Sequence, residues 1–373
     1  MPAQPANIKI GGYMLASILL MFDTTTAILF IPPVVAQIAG RDGWMAPLIT
    51  IPAAVYIVLV TVKLGSLFPG KTIIEYLPLV LGKVLGKIVA WGYLLFLFYL
   101  VATVLREAMA LLYGTGIFRQ TPVQAAALLL VLATTYATAS GLESISRTIW
   151  YYCVFIVLAY TLYLLGAVPF MNFNELLPVG EAGFNTIMKS TLTPHAYRGE
   201  LVIIAFLYPY IKNHKEALLG SLSAIALISF FITASIVACM TIMGVEVTSR
   251  VYYSAFFLAD YIPTSGLKIV FVTIWVIALW GKLTIGQFLI TIGMAQVCGF
   301  KDYRPLTISV GIMLLVFAEV FYSNTTEMFL SVPATFPGIA LFFEYLIPGL
   351  LLLIAWLKIK ASRGVSPNAP AET

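Results

Sequence analysis

The sequence predicts an all-α integral membrane protein of ten transmembrane helices, built as two five-helix repeats of inverted topology in which helices 1 and 6 are broken. Three observations carry this expectation. Of the 373 residues, 61% are apolar or aromatic and 10% are charged, against about 25% charged in an ordinary soluble domain. Ten stretches are apolar over the roughly 20 residues that a helix needs to cross a bilayer. Two of the ten carry charged and hydroxyl side chains at mid-depth. Mean hydropathy is +0.99, which excludes a water-soluble enzyme, because a soluble globule must cover its surface with polar groups.

In chain order the ten stretches are residues 10–38, 44–64, 84–112, 122–140, 148–168, 183–211, 218–243, 267–297, 306–323 and 336–358. The first is too long for a signal peptide, carries Asp23 and Pro32-Pro33, and lacks a small-residue cleavage site. Between the second and third, residues 67–87 are too short and too charged to span and read as an amphipathic segment along the inner interface. The outer segment 244–266 contains VYYSAFFLADYI, which suits either a lid dipping into an outer vestibule or an interfacial aromatic belt. One membrane domain covers the chain, with repeats at about 8–168 and 183–358 and a disordered cytosolic tail at 361–373.

The formal charge of +5 is a topology signal. With both termini cytosolic, 13 Lys and Arg fall inside and 6 outside, the latter being Arg41, Arg119, Lys189, Arg198, Arg250 and Lys268; this is the positive-inside pattern. No nucleic-acid partner is needed to explain it. Cys153, Cys239 and Cys298 lie in apolar stretches without CxxC spacing, and His195 and His214 are the two histidines. Zinc sites and catalytic triads lack their residues, so no metal, cofactor or catalytic residue is expected, and the chain is read as a non-enzyme.

The sixth stretch places Pro194, His195, Arg198, Gly199 and Glu200 near its centre, which a lipid-facing helix would not tolerate. Irregular backbone at membrane depth is permitted where it is buried in protein or lines a polar cavity, so a half-helix, a break and a second half-helix are expected. The first stretch has Asp23, Thr24, Thr25 and Thr26 at its midpoint. Asp23 precedes Pro32 by nine residues, as Glu200 precedes Pro209, at an offset of about 177 residues. That offset also carries Lys282 of the eighth stretch onto the neighbour of Arg106 in the third.

Each charge at such depth needs a partner or a purpose. Asp23 suits a cation or a ligand amine, or caps a half-helix. Glu200 can ligate, gate or cap, and Arg198 can pair with it or hold an anionic ligand group; Gly199 lets the backbone approach closely, and Tyr197 completes this cluster. Lys282 can occupy the place of a coupling cation, or pair with Asp23 or Glu319. Of the doublet Arg106-Glu107, one residue lines the outer vestibule and the other pairs across helices, because neighbours on a helix point about 100° apart. Glu344 reads as a buried hydrogen-bond acceptor. The candidate ligand-binding set is therefore Asp23, Thr24, Thr25, Thr26, Glu107, Tyr197, Arg198, Gly199, Glu200 and Lys282.

Several stretches carry a family resemblance. Residues 67–76 (LFPGKTIIEY) followed by Leu81-Gly82-Lys83 and Leu85-Gly86-Lys87 resemble the FPGKT-x-x-EY and LGK-x-LGK signature of the B-subunit permease-like proteins of bacterial spore germinant receptors, within the amino acid–polyamine–organocation (APC) superfamily. Arg106-Glu107, Thr121-Pro122, Gly141-Leu142-Glu143 with Arg147, Gly199-Glu200 before Tyr208-Pro209-Tyr210, and residues 301–305 (KDYRP) agree with it. The resemblance implies a LeuT/APC-like fold with a ligand site between helices 1, 3, 6 and 8. It also implies a small-molecule nutrient ligand, typically an amino acid, A-type and C-type partner subunits, and the inner membrane of the spore. The alternative on the same fold is a cation- or proton-coupled amino acid transporter. This chain has Asp23-Thr24-Thr25 where the superfamily usually has a Gly-rich break.

Overall fold

The computed structural model of the protein describes residues 9–114, 122–263 and 266–364. Arg119 and Thr121, invoked above for orientation and resemblance, lie outside the described residues, as does 365–373 of the expected tail. Helical segments occupy every one of the ten expected stretches: α1 (Gly12–Ala39), α2 (Ile51–Leu67), the short α3 (Ile73–Leu81), α4 (Lys83–Gly114), α5 (Val123–Ser140), α6 (Leu142–Ala167), α7 (Leu192–Gly199) within an irregular helical run, α8 (His214–Met243), α9 (Leu267–Cys298), α10 (Leu306–Val320), and α11 (Thr325–Ala340) joined through a π-helical turn, Leu341–Leu346, to α12 (Ile347–Gly364). Among the described residues, seven helical runs are by themselves long and apolar enough to cross a membrane. Of these, α1 to α2 form one continuous run and the last begins at Thr325 rather than 336; α10, at 15 residues, is not among the seven.

The expected break in helix 1 is absent. The helix passes unbroken through Asp23-Thr24-Thr25-Thr26 and through Pro32-Pro33. Thr24 Oγ1 donates to the Leu20 carbonyl at 2.5 Å and Thr25 Oγ1 to that of Met21, so the hydroxyls are satisfied within their own helix and need no unwound backbone. Helix 6 is interrupted, but more gently than a half-helix break. A short helix, Phe184–Ser190, leads through Thr191 into α7, the chain tightens to a 3₁₀ turn at Glu200–Ile203, resumes α at Ile204–Leu207 and ends in a 3₁₀ turn at Tyr208–Tyr210. The nine-residue Asp–Pro and Glu–Pro spacings therefore correspond in sequence and not in local geometry. Pro32 is interior to a helix, whereas Pro209 ends one.

Residues 67–87 divide between two elements. Gly70 turns the chain at φ +73°, and α3 starts at Thr72 with a capping box, the Thr72 amide donating to Glu75 Oε2 at 2.9 Å. Gly82, at φ +88°, then reverses direction into α4, which takes Lys83 and Lys87. A Cβ on Gly86 would sit 2.4 Å from Pro78 Cα, so the repeated Leu-Gly-Lys is a turn glycine followed by a contact glycine. Within residues 244–263, Phe256 and Leu258 are buried while Tyr252 and Tyr261 are exposed, and Tyr163 donates to the Ala255 carbonyl at 3.0 Å.

The irregular run 184–210 is fastened to α1 at both of its ends. On one side Asp42, just past α1, is buried and accepts the amides of Gly180 and Ala182 at 2.7 and 2.8 Å, and Arg41 pairs with Glu181 at 3.1 Å. On the other, Ile10 pairs in a parallel bridge with Ile211, its amide donating to Tyr210 O at 2.7 Å. Close approach of α1 to α8 rests on Gly220, where a Cβ would fall 2.3 Å from the Gly12 carbonyl oxygen.

Candidate functional site

Four elements bring the deep charges together. α1 supplies Asp23 and Thr26, α4 supplies Glu107, α7 with its 3₁₀ continuation supplies Tyr197, Arg198 and Glu200, and α9 supplies Lys282. All of these side chains are buried. They pair in crossed fashion: Lys282 Nζ donates to both Glu200 oxygens, at 2.7 and 2.9 Å, and to Thr26 Oγ1 at 2.8 Å. Arg198 Nη1 meets Asp23 Oδ2 at 3.5 Å, a long contact, while its Nη2 donates to Ser229 Oγ of α8 at 3.1 Å. Lys282 thus pairs with neither Asp23 nor Glu319, and Arg198 not with Glu200. Glu319 instead receives Arg106 at 3.1 Å. Arg198 is buried in the core, which removes it from the outer-side tally of basic residues.

The 3₁₀ turn accounts for the crossing. Arg198 and Glu200 are two residues apart, so on a helix they diverge by about 200°, one reaching α1 and α8, the other α9. Lys282 also lies 5.0 Å from the Phe22 ring centroid, a further favourable contact for an ammonium.

Beside the Glu200–Lys282 pair is a small cavity lined by Thr26, Leu100, Thr103, Val104, Glu107, Tyr197, Glu200, Val332 and Phe336. Its volume, about 20 Å³, admits a water and not an amino acid. Glu107 Oε2 has no hydrogen-bond partner. Of the residues proposed from sequence, Thr26, Glu107, Tyr197 and Glu200 line this cavity. Lys282 and, behind it, Asp23 and Arg198 support it. Thr24 and Thr25 turn away, toward an apolar cavity shared with Tyr160 and Trp275. Gly199 contributes close packing. Sequence reasoning missed Thr103 and Phe336. The signal for Thr103 was present, since Tyr99, Thr103 and Glu107 recur at four-residue spacing in an otherwise apolar helix, and Tyr322 joins the Thr103 and Tyr99 hydroxyls at 3.2 Å each.

The sequence profile of a family described as "Spore germination protein" matches residues 9–327. The chain belongs to this family. Among curated relatives, spore germination protein KB of Bacillus subtilis (strain 168) is 23% identical over 382 aligned positions, covering 97% of this chain and 98% of its own length. Spore germination protein YndE of the same organism is 23% identical, covering 95% and 96%. Among solved structures, a sodium-coupled sialic acid symporter in a substrate-bound outward-open state superposes with a TM-score of 0.63 at 12% identity, over 90% of this chain and 79% of that one. A nucleobase-cation-symport-1 family transporter, closed with bromovinylhydantoin bound, gives 0.63 at 13%, over 94% and 79%. The germination protein therefore has a LeuT-like transporter fold, although its first helix is unbroken.

Proposed function

We propose that this germination protein is the ligand-binding B subunit of a nutrient germinant receptor. In this reading it crosses the spore inner membrane ten times with both termini in the cytosol, as repeats at about 8–168 and 183–358. It takes a small nutrient bearing an ammonium group, an amino acid foremost, and passes the signal to A-type and C-type subunits. The observation that carries the reading is the state of Glu107. Asp23 and Glu200 have cationic partners, Asp23 through one oxygen while its Oδ1 accepts no hydrogen bond; among the described residues Glu107 has no ion-pair partner, and it faces a cavity with an oxygen unpartnered. An uncompensated carboxylate at this depth is costly, and a ligand ammonium placed between Glu107 and Glu200 offsets that cost. Because the cavity is water-sized, the ligand is worth more to a state in which its walls have parted, and binding shifts the population toward that state.

Binding of a panel of amino acids and sugars to the purified chain tests this. An amino acid should bind, and Glu107→Gln should weaken it by about tenfold or more, the loss of one charge-assisted hydrogen bond. Unchanged affinity in that variant sinks the assignment of Glu107, and sugars binding in place of amino acids sinks the ammonium requirement. The second reading, a cation- or proton-coupled amino acid transporter, is favoured by the symporter-like fold. It requires flux of labelled amino acid into liposomes containing this chain alone, which the receptor reading does not. Lys282 weighs against coupling to a mobile metal cation at this point, as an ammonium is already fixed between Thr26 and Glu200; it does not bear on proton coupling, which the flux measurement tests.

A further inference from the structure

The central cluster holds four buried carboxyl groups, Asp23, Glu107, Glu200 and Glu344, against two buried cations, Arg198 and Lys282. Two carboxyls are spoken for by ion pairs, and Glu107 borders a cavity. Glu344 is different from all three. It lies in the π-helical turn Leu341–Leu346, is 0% exposed, and neither of its oxygens has a hydrogen-bond partner. The sequence suggested a hydrogen-bond acceptor; no donor reaches it. The cavity beside Glu107 does not include it. It is also tightly seated: a Cβ on Gly199 would fall 2.0 Å from Glu344 Oε2 and 2.8 Å from its Cβ, so the carboxyl occupies the volume that any side chain at 199 would need.

The surroundings offer no counter-charge that is free to serve it. From the segment across the contact come Glu200 and Arg198, the first held by Lys282 and the second directed to Asp23 and Ser229. From α4 comes Tyr93, whose hydroxyl donates to the Phe343 carbonyl at 2.7 Å. Tyr345, on the same turn, donates to His195 O at 2.8 Å, and the His195 ring of α7, 6.5 Å from that of Tyr345, is engaged through Nδ1 with the Thr191 carbonyl at 2.8 Å. On α11, Glu327 bonds the Ser323 amide at the first turn, and on α12 Lys358 donates to Val80 O while Lys360 lies over Trp356. An ionised carboxylate in this position would be buried with no donor and no cation, at a cost of several kcal/mol. A bound cation or ligand amine would need space that the Gly199 contact takes up. A proton needs none.

We propose that Glu344 is a proton-binding site, carrying its proton at neutral pH in the state described, and that release of this proton is a switch acting on the ligand cluster. The carboxyl as a neutral acid packs against Gly199, one residue before Glu200. Its conversion to a carboxylate places a second negative charge next to the Glu200–Lys282 pair and drives the π turn, with α11 and α12, away from α7. A π turn inside a long helix is a frequent position for such a device, since it is an insertion that a register shift can absorb. Phe336 and Val332 of α11 wall the cavity, so movement there alters access to it.

The test is infrared spectroscopy of the full chain in lipid nanodiscs at neutral pH, without ligand, reading the carbonyl stretch of protonated carboxylic acids. The wild-type protein should show such a band, persisting as pH is raised past the point where exposed carboxyls are ionised, and Glu344→Gln should remove it or a resolved component of it. Glu344→Met is the second variant should the first fail to fold. Glu107→Gln should retain the Glu344 component, and this measurement stands even if neither substitution at 344 folds. Absence of any protonated-carboxyl band in the wild type, a band left unchanged in a folded 344 variant, or its complete loss in Glu107→Gln, overturns the proposal. No outcome depends on identifying the nutrient.

Discussion

At the scale of single residues, the decisive fact is which acid meets which base. Asp23, Glu200 and Lys282 are visible in the sequence as ionisable residues in apolar stretches, and the structure buries all three. Their pairing is not visible there, because it depends on the two-residue step from Arg198 to Glu200 taken on a helical turn and on which neighbour each direction meets. Since removal of one partner leaves the other charged and buried, Lys282→Met should destabilise the protein by about 3–5 kcal/mol, read as a fall in thermal midpoint in detergent. The double variant Lys282→Met with Glu200→Gln removes both charges and should recover part of that loss. A loss in the double variant equal to the sum of the losses in Lys282→Met alone and Glu200→Gln alone would mean that the 2.7 Å contact contributes no coupling.

Elements show a different kind of legibility. The outline of nearly all helices follows from hydropathy and from Gly and Pro placement, whereas the single interfacial segment expected over 67–87 is divided between α3 and the start of α4. The break assigned to helix 1 did not materialise, because a cluster of threonines satisfies itself by bonding back along the helix, and sequence alone does not distinguish a threonine that does so from one that faces an opened turn. Glycines with ordinary helical backbone were equally silent. Gly199 and Gly220 have no positive φ and matter by what they touch. Gly220→Ala puts a methyl 2.3 Å from a backbone carbonyl of α1, and α1 must shift to accept it. A loss of about 1–3 kcal/mol is expected, as for overpacking elsewhere, whereas Gly338→Ala, with nothing within 4 Å of the new methyl, should hold or slightly raise the thermal midpoint, since Ala is favoured over Gly inside a helix. Equal midpoints for both variants would refute the close-packing account of the α1–α8 crossing.

For the molecule as a whole, the distribution of Lys and Arg gives an expected orientation, and that expectation has a test independent of any ligand. Residues 212–215 lie on the side expected to be cytosolic and Arg250 on the opposite one. In a background with Cys298, the exposed cysteine, replaced by serine, a membrane-impermeant maleimide added to intact right-side-out vesicles should label Arg250→Cys and spare Lys215→Cys. The reverse pattern would invert the topology. The site cavity itself was beyond sequence, since its walls come from helices far apart in the chain and its size is set by how closely they pack.

The two fastenings of α1 to the irregular run 184–210, through Asp42 at one end and Ile10 with Ile211 at the other, bear on how a nutrient enters. A pair of beams clamped together at both tips does not splay like tweezers, so under the proposed ligand-binding reading α1 and α7 form the fixed jaw. Under that same reading the moving jaw is the opposite wall, where Thr103 and Glu107 sit on α4 and Val332 and Phe336 on α11, and a nutrient's arrival would register as travel of the wall that carries Glu107.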